Sequence, residues 1–278
     1  MHSSTSLSLF KTEYAFKAMQ KNGYVVLDGE LDEKLADIYT YITKHNNLSL
    51  PYFSYSLIEN SYRENVLLRE FLKSHLNTFY EAHFKQYKTL NESFLVKPAQ
   101  AKDELLLHQD FCYTDEAKFP VYNVWIPFAD VTESNGAMFV LPGSHLWFKN
   151  YRSSSLPTAR ISMKNFNENQ IRKVEIKRGQ VLLFHPAVFH GSFPNLTDQN
   201  RVILTATITH VNAPFLYYHQ EENSSDTEIY QLDNDAYLRD LKTISMKARP
   251  QAPLVNRFGY HHHIITEKDL IEKASKMF

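Results

Sequence analysis

One cysteine, Cys112, stands in the chain of 278 residues. No disulfide can form within the chain, and so low a count fits a reducing compartment. Glycine is also scarce at seven residues, where an average chain has about 7%. No stretch approaches the roughly 20 apolar residues that a membrane-spanning helix needs. Met1–Phe10 has neither a basic head nor a long apolar run, so it does not read as a secretory leader. Neither sign of charge dominates: 30 Lys and Arg face 31 Asp and Glu, so no global field selects nucleic acid or an anionic membrane. The expectation from these absences is a soluble, cytoplasmic protein without a nucleic-acid or membrane partner.

What the chain does contain is aromatic: 19 Phe, 17 Tyr and 2 Trp, within an apolar share of 43%. Such residues suit pleated, half-buried surfaces. The first third reads as helical, with a helix over 11–22 stopped at Asn22-Gly23, a second over 31–45 and a long amphipathic one over 64–87. Tyr24–Leu27 is an early strand, and 46–62 is irregular and aromatic. Beyond residue 90 short apolar runs alternate with turns: 94–96, 105–108, 121–128, 137–141, 181–184, 188–189 and 202–211. Four of the seven glycines (Gly136, Gly143, Gly179, Gly191) fall between Asp110 and Arg201. Short strands with turn punctuation predict a sandwich, jelly roll or barrel rather than βαβ units. No linker or repeat divides the chain, so residues 1–278 read as one mainly β domain with flanking helices. Its parts are N-terminal helices over about 11–90, a β core over about 91–212 and a C-terminal extension over 213–278. Within the core, 149–178 is a polar insertion whose eight basic residues outnumber Glu168 and Glu175 by six. Thr266–Met277 reads as a last helix, with Thr266 as N-cap and Asp269 at the third position.

His108-Gln109-Asp110 carries the chemistry. Residues two apart on a strand face one side, so His108 and Asp110 can converge on one metal ion while Gln109 points away. His145, His185, His190 and His210 compete for a third position. His190 ends a short apolar strand and precedes Gly191, which lets the backbone turn while the imidazole stays aimed inward. Two histidines and one carboxylate form the facial set that leaves open positions on non-haem Fe(II). Eleven residues on, Arg201 opens a strand and shares a face with Ile203 and Thr205. A guanidinium inside a barrel requires an anion, and a dicarboxylate bound to the iron at its other end supplies one.

The ordered set His108-Gln-Asp110, Trp125–Gly136, Leu141-Pro-Gly-Ser-His145, His190-Gly-Ser192 and Arg201 resembles the phytanoyl-CoA dioxygenase family of Fe(II)/2-oxoglutarate oxygenases. Phe94–Pro98 and Asn22–Leu27 fit the same pattern, and the likeness extends over about residues 12–212. It implies a double-stranded β-helix, or jelly roll, of the cupin-like kind. It implies Fe(II) on His108, Asp110 and His190, with the far carboxylate of 2-oxoglutarate on Arg201. Trp125, Ser192 and Ser93 then contact the co-substrate, and Asn123 joins them by sharing an inward face with Trp125. Gly136 and Gly143 read as turn formers, His145 as structural and Cys112 as packing.

The implied reaction consumes O2, decarboxylates 2-oxoglutarate to succinate and CO2, and hydroxylates an unactivated C–H bond of a small molecule. Relatives that halogenate lack the carboxylate that Asp110 supplies, so hydroxylation is expected over halogenation. Desaturation, ring formation or epimerisation at the same metal is the alternative, and a non-catalytic jelly-roll binding protein is a third reading. Phe111 and Tyr113 are expected to wall the substrate cavity, and Pro51–Ser56 and Phe215–His219 to cap it. The basic insertion invites an anionic substrate, whether a carboxylate, a phosphate or a CoA or carrier-protein thioester, and the small molecule is expected to be an amino acid, an acyl compound or a biosynthetic intermediate.

Overall fold

The computed structural model describes residues 8–276. Most of the Met1–Phe10 stretch, and Met277 at the end of the expected last helix, lie outside the described residues. Three helices open the chain: α1 (Glu13–Asn22), α2 (Asp32–His45) and, after a one-turn α3 (Ser56–Glu59), α4 (Tyr62–His83). Local chemistry sets their ends. The Thr12 hydroxyl caps α1 by accepting from the Ala15 amide, and Gly23 stops it at φ 78, a left-handed conformation that suits glycine. Ser61 and Glu64 form a reciprocal capping box on α4.

The strands are β1 (Tyr24–Asp28), β2 (Ser54–Tyr55), β3 (Tyr87–Lys97), β4 (Leu105–His108), β5 (Val121–Pro127), β6 (Met138–Val140), β7 (Arg172–Val174), β8 (Gln180–Phe184), β9 (His190–Ser192) and β10 (Arg201–His210). They form a six-stranded sheet, β1-β8-β5-β10-β3-β2, and a four-stranded sheet, β4-β9-β6-β7, paired antiparallel throughout. Period-two alternation divides the larger sheet's side chains. Val124, Ile126, Leu204 and Ala206 join the core that contains Leu35, Ile38, Leu68 and Leu72 of the helices. Trp125, Leu182, Phe184 and Ile203 share the second core with Phe139 and Val140 of the smaller sheet. The result is the double-stranded β-helix with flanking helices.

Several expectations need correcting. Helix α4 stops at His83, four residues short of the expected end, and Gln86 at φ 49 turns the chain into β3. β3 begins at Tyr87 rather than Phe94; a bulge, with register slipping between Thr205 and Thr207, breaks the alternation that would reveal it. The expected strand at 188–189 forms at His190–Ser192 instead. The basic insertion is not wholly separate, because its β7 pairs with β6. Past β10, the weakly patterned tail folds into β11 (Phe215–Gln220), β12 (Asp226–Leu232), α5 (Ala236–Ser245), β13 (Leu254–Gly259) and α6 (Glu267–Ser275), with β11-β12-β13 a third sheet. Phe215–His219 is therefore a buried strand, absent from the cavity walls described below. Helix α6 carries the expected Thr266 cap and Asp269 reply.

Candidate metal centre and co-substrate pocket

β4 and β9 pair with His108 opposite His190, so the two imidazoles meet across one sheet, ring centroids 4.4 Å apart. Gly191 makes that pairing possible: a Cβ there would stand 2.2 Å from the Leu105 carbonyl oxygen. Strand β4 ends at His108, so strand alternation does not place Asp110. Its amide instead donates to the Pro186 carbonyl at 2.8 Å, and Arg152 Nε donates to its carbonyl at 2.7 Å. Asp110 Oδ1 then lies 3.6 Å from His108 Nε2, and Oδ2 lies 3.5 Å from His190 Nε2. Ligand atoms of all three residues fall within 4.8 Å of one another, the one such cluster among the described residues. His145 and His185 pack on each other, and His210 lies against Phe119; none joins the cluster.

Each imidazole is set up as a ligand. His108 Nδ1 meets the Leu106 carbonyl at 2.7 Å and His190 Nδ1 meets that of Val188 at 3.0 Å. Carbonyls only accept, so each Nδ1 carries the proton and each Nε2 presents its lone pair to the site. Burial pushes His190 down to about 4, which keeps it neutral. Burial raises the Asp110 carboxyl, but His190, His108 and Arg152 outweigh that effect and hold it at about 2. At neutral pH the site therefore offers a neutral His190 imidazole and an ionised Asp110 carboxylate, with His108 Nε2 turned to the same point, the donor types that non-haem Fe(II) takes.

Asn123 lines the same cavity as Trp125 and also braces Asp110. Its Nδ2 donates to Asp110 Oδ2 at 2.6 Å, and its own oxygen accepts from the Thr207 hydroxyl at 3.0 Å. Thr207 and Asn123 are register partners on β10 and β5. The larger sheet thus braces the ligand that comes from the smaller one.

Arg201 is 7% exposed, and its register partner is Lys97. One guanidinium nitrogen, Nη1, donates to the Gly136 carbonyl, and the group lies over the Trp125 ring at 5.3 Å. Nε is buried without a partner. Burial pushes the guanidinium down to about 10, still charged at neutral pH. A buried cation with an orphaned donor fits the carboxylate of a dicarboxylate co-substrate. Lys97 is a buried lysine missed by sequence reasoning: its ammonium donates to Ser192 Oγ at 3.0 Å and to the Phe193 carbonyl. Burial and Arg201 push it down to about 7.

A cavity of 380 Å³ brings these parts together; Trp125, Ser192 and Arg201 line it with His108, Asp110 and His190. Phe53 and Tyr55 line it too, from the aromatic stretch expected to cap the site. A second cavity of 410 Å³, with Phe111 on its wall, shares Tyr55, His108, Asp110, Tyr113 and Arg160 with the first. Ser93 is not on either wall; its hydroxyl donates to the Asn91 carbonyl at 2.8 Å. Gln109 turns away to donate to the Ala187 carbonyl at 2.6 Å. Burial pushes the Cys112 thiol up to about 12, which leaves it inert. Among the described residues no helix is long and apolar enough to cross a membrane.

The family model for phytanoyl-CoA dioxygenase matches residues 19–203. Phytanoyl-CoA dioxygenase 1 of Oryza sativa subsp. japonica is 25% identical over 135 residues, 46% of this chain and 46% of its own. The chain spans just under half the length of that relative. Among solved structures, the non-haem α-ketoglutarate-dependent carbocyclase SnoK from nogalamycin biosynthesis superposes with a TM-score of 0.54 at 15% identity, covering 73% of this chain and 86% of its own. HygX from Streptomyces hygroscopicus, solved with nickel and 2-oxoglutarate bound, gives 0.52 at 15% identity, covering 77% and 92%. These likenesses agree on the double-stranded β-helix, and the matched family model covers the smaller sheet, the larger one as far as the start of β10, and His108, Asp110, His190 and Arg201. The chain belongs to the phytanoyl-CoA dioxygenase family of Fe(II)/2-oxoglutarate oxygenases.

Proposed function

We propose that the protein is a 2-oxoglutarate-dependent dioxygenase that hydroxylates an unactivated C–H bond of a small molecule. One observation carries the reading: a cluster of two histidines and a carboxylate and a buried, incompletely partnered Arg201 share a single cavity. With Fe(II), 2-oxoglutarate and O2 bound, the centre supplies the oxidation, one oxygen atom leaving in succinate beside CO2 and the other entering the C–H bond. His108, Asp110 and His190 would hold the metal on one side and leave its other positions free. Arg201 would hold the far carboxylate of 2-oxoglutarate, with Trp125 as a wall and Ser192 beside it. Asn123 and Thr207 keep Asp110 aimed, and Leu105, Met138 and Phe184 surround the centre with apolar surface that excludes water. The lone buried thiol supports a reducing, cytoplasmic setting.

The second reading keeps the site and changes the outcome to ring formation, desaturation or epimerisation. The carbocyclase of the same fold favours keeping it in view. Purified protein with Fe(II), 2-oxoglutarate and isotopically labelled O2 tests both readings. Hydroxylation requires succinate and a product that carries one labelled oxygen; an unlabelled product with succinate selects the second reading. No succinate from any candidate substrate, together with no retained iron, would leave a binding protein.

A further inference from the structure

Two polar side chains on the catalytic cavity have no role in the site described above. Asn91 sits on β3 at φ 60, where the register slips against β10, and is 3% exposed. Asn91 lines the cavity, yet its buried Nδ2 and Oδ1 have no hydrogen-bond partner. A buried amide left bare on both sides is costly. A bound molecule with a hydrogen-bonding group within its reach would remove that penalty. The φ is one that asparagine tolerates better than most residues, so the bulge places an asparagine on the cavity wall at small backbone expense.

Arg160 is the second. The basic insertion holds eight cations, and four are committed elsewhere. Arg152 pairs with Glu116 and the Asp110 carbonyl, Lys173 with Glu133, and Arg178 with Asp32, while Arg172 reaches the Glu168 carbonyl. Lys149, Lys164 and Lys177 reach neither cavity. Arg160 lines both, at the seam where they meet beside His108 and Asp110. Among the described residues its guanidinium has no ion pair or hydrogen bond. The one carboxylate on either wall is Asp110, already a metal ligand. Arg160 is exposed, so its guanidinium stands free at that seam, and its planar fork matches a carboxylate or a phosphate.

We propose that the primary substrate is a compact anion, its carboxylate or phosphate held by Arg160 and its polar body hydrogen-bonded by Asn91. The proposal rests on the oxygenase reading for the identity of the site, and it adds the substrate's chemical class. Tyr55 and Tyr113, common to both cavities, would flank the carbon skeleton between these anchors. The combined space is of the size that takes small ligands, about 300–1,000 Å³.

Calorimetric titration without O2 tests it, with hexanoate against hexanamide and phenyl phosphate against phenol. The protein is loaded with Fe(II) and titrated with and without saturating 2-oxoglutarate. Wild type should bind each anion at least tenfold more tightly than its neutral counterpart. R160A should reduce that preference to below twofold while retaining its circular dichroism spectrum, and R160K should keep part of it. N91G, which accepts the backbone angle, should weaken both members of a pair roughly tenfold, the equivalent of one lost hydrogen bond. The relative strength of the carboxylate and phosphate arms names the substrate's charged group. No preference for either anion in wild type, or a preference that survives R160A, overturns the role of Arg160; unchanged affinities in N91G overturn that of Asn91. Failure of wild type to bind 2-oxoglutarate would instead strike the oxygenase reading, and the arm without 2-oxoglutarate still reads the anion site.

Discussion

Replacing Arg201 with leucine should separate stability from function. Burial pushes this guanidinium down to about 10. A depression of that size corresponds to a penalty of about 3 kcal/mol for holding the charge in the fold. The sign follows from the direction: the native state disfavours the charged form, so the penalty applies at every pH below the folded value, neutral pH included. Leucine removes that penalty. It forfeits the hydrogen bond to the Gly136 carbonyl, about 1 kcal/mol, and the contact with the Trp125 ring, about 1 kcal/mol more. The protein without co-substrate should therefore be as stable as wild type or about 1 kcal/mol more so. With co-substrate the order reverses. Two charge-assisted hydrogen bonds to a carboxylate, at about 1.5–3 kcal/mol each, would be lost. The dissociation constant of 2-oxoglutarate should then rise roughly a hundred- to ten-thousand-fold. Urea unfolding, with the metal present and with or without 2-oxoglutarate, reads both effects. At a hundred times its dissociation constant the ligand should stabilise wild type by about 2.7 kcal/mol and leave Arg201→Leu unmoved. A variant that loses more than about 2 kcal/mol without ligand, yet is still stabilised by 2-oxoglutarate, would refute the reasoning; that loss is typical of ordinary core disruption.

Three further outcomes follow. Asn123→Ala removes the brace on Asp110 Oδ2 and should lower iron affinity or turnover about 10–100-fold, measured by metal titration and succinate release on a protein that stays folded. Burial and Arg201 push Lys97 down to about 7, so between pH 7 and 8.5 the unfolded chain binds more protons than the native one, and stability should rise with pH. The slope should be at most about 1.4 kcal/mol per pH unit, and Lys97→Met should flatten it in urea unfolding across that window. Gly191→Ala forces a Cβ to within 2.2 Å of the Leu105 carbonyl oxygen. It should destabilise the fold by about 2–3 kcal/mol, read as a lowered thermal midpoint, and weaken iron binding by parting His190 from His108.

The metal ligands were legible because their chemistry is local and their order along the chain is distinctive. His108 closes a short apolar strand while His190 and Arg201 each open a strand, positions that turn residues and alternation announce. Asp110 reaches the cluster for a reason alternation did not supply, since the strand ends at His108 and the Asp110 backbone is held by its amide donating to the Pro186 carbonyl and its carbonyl accepting from Arg152 Nε. What stayed hidden depends on contacts distant in sequence. Asn123 lines the pocket, and its bonds to Thr207 and Asp110 appear only in the folded chain. Lys97 reads as the polar close of a strand, although 95 residues separate it from the Ser192 hydroxyl to which it donates. The first half of β3 is polar and bulged, so Lys88, Thr89, Asn91 and Glu92 obscure its period. The third sheet was missed because β13 is almost wholly exposed, leaving little apolar alternation to read.

The central claim, that His108, Asp110 and His190 form one iron site that uses 2-oxoglutarate, is tested most directly by anaerobic Fe(II) titration followed by succinate release on admitting O2. Wild type should bind one Fe(II) per chain and form succinate only when iron and 2-oxoglutarate are both present. Asp110→Ala should lose the succinate and most of the iron affinity. Full succinate formation by Asp110→Ala, or wild type that binds no Fe(II), would contradict the account.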